Sequence, residues 1–108
     1  MAYDFVSQDV GVAIYVGLNQ NIAAATSVSI TTVGPAPSYV RVSLPATVGL
    51  TTQVINGVSY NSGYWVYYVT GATDFPEGGG YQAQVVANLP PSETYSSFPF
   101  AMSVANRI

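Results

Sequence analysis

The chain has 108 residues, 49% of them apolar and only 6% charged, against about 25% charged in an average soluble domain. Five acids (Asp4, Asp9, Asp74, Glu77, Glu93) stand against two bases (Arg41, Arg107), with no Lys or His, so the basic surface that neutralises phosphates is missing and nucleic acid is not an expected partner. The absence of Cys and His removes thiolate zinc sites, a disulfide framework, Cys nucleophiles and any Ser-His-Asp set.

The length suits one domain, residues 1–108, with room for a core. Met1 to Asp4 lacks a basic leader region, so no signal peptide is expected. No apolar run reaches the roughly 18 residues of a membrane-spanning helix. High Tyr, Val, Thr, Ser and Gly content favours strands and turns.

Val10 to Leu18 alternates, with Val10, Val12, Ile14, Val16 and Leu18 on one face and Gly11, Ala13, Tyr15 and Gly17 on the other. That period of two predicts a half-buried strand. A turn follows at Asn19 to Asn21, then at most one helical turn at Ala23 to Ala25 before a strand over Thr26 to Val33. Gly34 to Pro37 reads as a loop, because Pro cannot join a central ladder. Tyr39 to Leu44 alternates again, with Val40, Val42 and Leu44 inward, and Pro45 ends that strand or marks an edge. Residues 45–63 read as an inserted hairpin. Val48 to Ile55 is a weaker strand, Asn56-Gly57 suits a type I′ turn, and Val58 to Tyr60 pairs back.

Tyr64 to Val69 is strongly β-forming and apolar on both faces, as in a central strand or one beneath a partner. Trp65, Tyr67 and Val69 share one face, and Tyr64, Val66 and Tyr68 the other. The bulkier Trp65 and Tyr67 are assigned to the core, which leaves Tyr64 and Tyr68 as an exposed protein interface. Large amphipathic rings suit such a centre. Thr73 to Pro76 then forms a single turn capped by Thr73 or Asp74.

Gly78, Gly79 and Gly80 allow a sharp corner, and Tyr81 to Ala87 follows as a strand. After a turn at Pro90 to Glu93, the last strand carries an inward row of Phe98, Phe100, Met102 and Val104, with Pro99 marking an edge or bulge. Seven to nine short antiparallel strands with turns between them predict an all-β sandwich.

The run Glu77-Gly78-Gly79-Gly80-Tyr81-Gln82-Ala83 resembles the tyrosine corner before strand F of immunoglobulin-like sandwiches. The resemblance implies that Tyr81 bonds the upstream backbone, that Gly79 makes the turn, and that Ala83 takes the place where antibody domains carry a Cys. No Cys pair exists, and Trp65 is too near Tyr81 in sequence to be the strand C Trp.

A closer resemblance lies in the order of three pieces. They are Asp9-Val10-Gly11-Val12-Ala13-Ile14-Tyr15-Val16, then the aromatic strand with Thr70 to Phe75 and Gly80 to Val85, then Ser97 to Val104. Together they resemble the immunoglobulin-like domain of phage virions, found at the N-terminus of upper baseplate proteins and in small head decoration proteins. Those domains usually carry more charge and continue into further domains. This chain ends at Ile108 soon after its last strand, which suits a free-standing copy decorating a shell.

The resemblance implies a non-enzymatic virion protein, a capsid cement or decoration protein made in the host cytoplasm. Its partners would be the major capsid protein or other virion proteins, with many copies or a homo-oligomer in the assembly and no membrane. A baseplate or tail adaptor is the alternative within virions. A carbohydrate-binding module is the alternative from another class, with Tyr60, Tyr64, Trp65, Tyr67 and Tyr68 stacking on sugars. No cofactor is expected. Asp74 and Glu77 are the one close acidic pair, and calcium needs more oxygen ligands, for which carbonyls near Gly78 to Gly80 are the nearest source. A capping Asp and a solvated Glu account for the pair. Gly78 to Gly80 is not a phosphate loop, because the Lys and the following helix are missing.

Overall fold

The computed structural model describes residues 5–71 and 73–106. Met1 to Asp4 (with the leader reading made there), Ala72, Arg107 and Ile108 lie outside the described residues. Eleven strands form among them: β1 Phe5–Val6, β2 Ala13–Gly17, β3 Ser27–Val33, β4 Arg41–Pro45, β5 Thr47–Val48, β6 Gln53–Ile55, β7 Val58–Tyr60, β8 Trp65–Val69, β9 Gly79–Leu89, β10 Glu93–Ser96 and β11 Phe100–Ala105. No α-helix occurs among the described residues.

The larger sheet has the order β1-β11-β9-β3-β4, with β10 also paired to β9. The smaller has the order β2-β8-β5, and β6 pairs with β7 as a separate hairpin. In immunoglobulin-like sandwiches one sheet runs G-F-C-C′ and the other carries B, E and D. Here β11-β9-β3-β4 and β2-β8-β5 follow those orders, so the chain is an all-β, immunoglobulin-like sandwich. The pairs are antiparallel except β1 with β11, which is parallel.

β9 is the spine because alternation runs unbroken along its eleven residues. Tyr81, Ala83, Val85 and Ala87 are buried while Gln82 and Asn88 are exposed. One edge pairs with β3 from Gln82 to Asn88. The other pairs first with β11 and then with β10. Ser97 sits at that change of partner: its hydroxyl accepts from the Val85 N–H, and its own N–H donates to the Val85 carbonyl, both at 2.9 Å.

The core lies between the two sheets. Ile30, Thr32, Leu44, Met102 and Val104 join the β9 row from one side, and Ile14, Val16 and Val66 meet them from the other. Phe5 and Phe75 close one end, with Phe75 edge-on to Phe5 at 4.9 Å and to Tyr81 at 5.1 Å. That edge-to-face geometry is the favoured one for ring pairs.

Several boundaries differ from the sequence reading. Val10 is 71% exposed and precedes β2, because positive φ at Gly11 bends the chain there. Val40 is exposed and precedes β4. Phe98 is 84% exposed and does not belong to the inward row, since β11 begins only at Phe100, after Pro99. β1 and β10 are additional strands. The Asn56-Gly57 turn joins β6 to β7 with φ of 50° and 80°, as a type I′ turn requires.

Candidate protein interface

The corner residues serve the scaffold. The Tyr81 hydroxyl donates to the Glu77 carbonyl at 2.6 Å. Burial pushes its phenol above the usual tyrosine value. Gly79 has φ of 139°, and a Cβ there would sit 2.8 Å from the Pro35 side chain, so backbone angle and close approach both call for glycine. Ala83 faces the core at 2% exposure.

The two faces of β8 are reversed relative to the sequence assignment. β8 pairs with β2 so that Val66 lies opposite Val16 and Tyr68 opposite Ile14. Val66 is fully buried, and Tyr68 packs against the core from its partly buried position. Tyr68 is therefore not an exposed interface ring. Its hydroxyl donates to Asp74 Oδ2 at 2.6 Å, and the same oxygen accepts the Gly71 N–H at 2.6 Å. The hydrogen bond to Asp74, then burial, then the carboxylate charge push the Tyr68 phenol up to about 12. Tyr64 precedes β8 and is half-buried, its carbonyl accepting the Leu18 N–H.

The outer face carries Trp65, Tyr67 and Val69, next to Gly17, Tyr15 and Ala13 of β2. Trp65 is buried there at 6% exposure, although it points away from the core. The segment after β5 covers it. The indole N–H donates to the Thr51 carbonyl at 2.7 Å, and the ring lies so close to Gly49 that a Cβ would fall 2.0 Å from it. Tyr15 and Tyr67 flank the indole, with ring centroids 5.9 Å and 5.7 Å from it and 6.3 Å from each other. The β6–β7 hairpin borders this face, with the Tyr60 ring against Gly17.

What remains open on that side is Tyr15 at 46% exposure, with Val69, Val54 and Leu50 at half or more. None of the described charged residues lines the depressions around it. Tyr15 is the functional candidate that the sequence reading did not single out. Its signal was its outward position on β2, between the small residues Ala13 and Gly17.

Among the described residues no cluster of three or more His, Cys, Asp or Glu side chains forms. The Asp74 carboxylate is engaged by the Tyr68 hydroxyl and the Gly71 N–H. No protein family matches the sequence, and no curated protein or solved structure matches the chain.

Proposed function

We propose that this chain is a non-enzymatic structural protein of a phage particle, of the cement or decoration kind, which attaches through the outer face of its smaller sheet. One observation carries the reading: Tyr15, Tyr67, Val69 and the adjoining Val54 and Leu50 form an aromatic and aliphatic face without a charged side chain among its lining residues. Such a face favours contact with other protein, where Tyr and Trp are enriched and charges depleted. The virion setting rests on the sequence resemblance, and the fold contains the strand order and Tyr81 corner common to immunoglobulin-like sandwiches.

The test is co-sedimentation of the purified chain with phage heads and, separately, with tails that lack it. Saturable binding to heads, unchanged in about 1 M salt, supports apolar attachment as cement. Binding to tails alone makes it an adaptor, and binding to neither removes the virion reading.

One feature favours a sugar site. Tyr15, Tyr67, Thr47 and Gln53 line the same shallow depression, which joins rings to an amide and a hydroxyl. The burial of Trp65 speaks against it, since the largest ring offers no open face for stacking. Glycan-array binding that is lost in Tyr15→Ser would select this reading instead.

A further inference from the structure

We infer that the open edge of β2 accepts an extended, uncharged segment of a partner chain as an added strand. The Thr70 N–H donates to the Val12 carbonyl, and the Leu18 N–H to the Tyr64 carbonyl. By antiparallel alternation, Ile14 and Val16 then turn their N–H and C=O groups toward β8. Ala13, Tyr15 and Gly17 turn theirs the other way, and β2 is an end strand of its sheet. Among the described residues those groups pair with no other strand.

The place of this edge decides what it takes. It borders a groove of about 450 Å³ lined by Phe5, Ile14, Phe100 and Met102 and by Val54 and Ile55 of the hairpin. Gln53 to Asn56 of the hairpin line the same groove as Val12 to Tyr15, so the β2 edge has chain beside it and suits a single extended strand rather than a second sheet. The required chemistry follows from the lining. The added backbone must offer donors and acceptors at every second residue, which only a strand does. Alternate side chains must be apolar where they meet Phe5 and Met102. None of the groove residues is charged, so nothing compensates a buried charge.

The other edges of the two larger sheets are blunted in the ways sheet edges usually are. β4 carries Arg41 and ends at Pro45, β10 carries Glu93, and β1 and β5 are two residues long. β2 has five residues with no Pro and no charge. Strand addition is a binding mode beyond face contact, and it stands whether or not the partner is a virion protein.

The probe is a capped peptide of about seven residues alternating Val and Thr, beside the same peptide N-methylated at alternate positions. Hydrogen exchange of the whole chain is followed at Ala13, Tyr15 and Gly17. The expected result is about tenfold slower exchange at these three amides with saturating peptide, and no change with the methylated one. Ala13→Pro should fold, because its N–H faces no partner strand, and should lose peptide binding.

No protection at millimolar peptide, or equal binding by Ala13→Pro, overturns the proposal. So does slow exchange at these amides before peptide is added, which would mean the edge is already filled within the chain. Protection that appears on concentrating the protein alone assigns the edge to a second copy and likewise overturns it. Peptide binding by a chain that binds no particle would leave the strand acceptor standing and remove the virion reading alone.

Discussion

The Tyr68 hydroxyl and the Asp74 carboxylate meet at 2.6 Å, joining the inner face of β8 to the loop that leads into β9. The contact belongs to the inner face of β8, where Tyr68 lies opposite Ile14 of β2. A tyrosine that anchors a loop across the end of the core is part of the scaffold, and the rings on the opposite face become the candidates for binding.

That contact has a pH signature. Tyr68 titrates higher in the folded chain, at about 12, than the ordinary tyrosine value of 10.0. A raised folded value means stability that is fully present below pH 10 and lost as pH rises from about 10 toward 12. Tyr81 is raised as well and acts in the same direction. Denaturant midpoints measured from pH 8 to 12 should fall steeply over the upper part of that range. In Tyr68→Phe the fall should be shallower, and an identical pH profile would contradict the bond.

The corner can be tested alone. Tyr81→Phe keeps the ring among Phe75 and the core but leaves the Glu77 carbonyl without its donor. The expected loss is about 1 kcal/mol, read as a lower thermal midpoint. An unchanged midpoint would mean that water replaces the hydroxyl at no cost.

Gly49→Ala drives a methyl into the Trp65 ring. Overpacking of this kind costs about 1–3 kcal/mol. Trp65 is the single Trp, so its fluorescence reports the event directly and should shift to the red as the indole leaves Thr51. Gly80→Ala is the control, since a Cβ there meets nothing within 4 Å and its φ is not positive.

Attachment should map to the outer face. Tyr15→Ser combined with Val69→Ser removes exposed apolar surface and should change stability by less than about 1 kcal/mol. Particle binding should drop in the same variant, as measured by co-sedimentation. Tyr68→Ser should do the reverse, losing stability first. If Tyr15→Ser with Val69→Ser binds as well as the parent, the proposed attachment face is wrong.

Where one face is polar, the strand pattern was legible in the sequence. β2 and β9 alternate apolar with small or polar residues, so their burial could be read directly. The same holds for the turn at Asn56-Gly57. β8 was not legible in this way, because Trp65, Val66, Tyr67 and Tyr68 are apolar on both sides and size is a poor guide to direction. The larger pair went outward because Gly49 and Thr51 build a cover there, and nothing local to β8 encodes that cover. β10 was missed because Glu93, Thr94 and Ser96 are polar and exposed. Its pairing depends on β9 running past the point where β11 stops.

The length of β9 bears on how the chain reaches this structure. Its partner β3 lies far back in sequence, and the contact between Thr26 and Asn88 spans 62 positions. The central pairing of the larger sheet therefore closes a long loop before burial rewards it. Sandwiches dominated by such distant contacts fold in milliseconds to seconds rather than microseconds. During synthesis β3 leaves the ribosome well before β9 exists, carrying apolar Val28, Ile30 and Val33 without the β9 partner they later pair beside. Thr26, Ser27, Ser29, Thr31 and Thr32, spaced among those residues, keep the waiting segment wet and slow its association with other nascent chains.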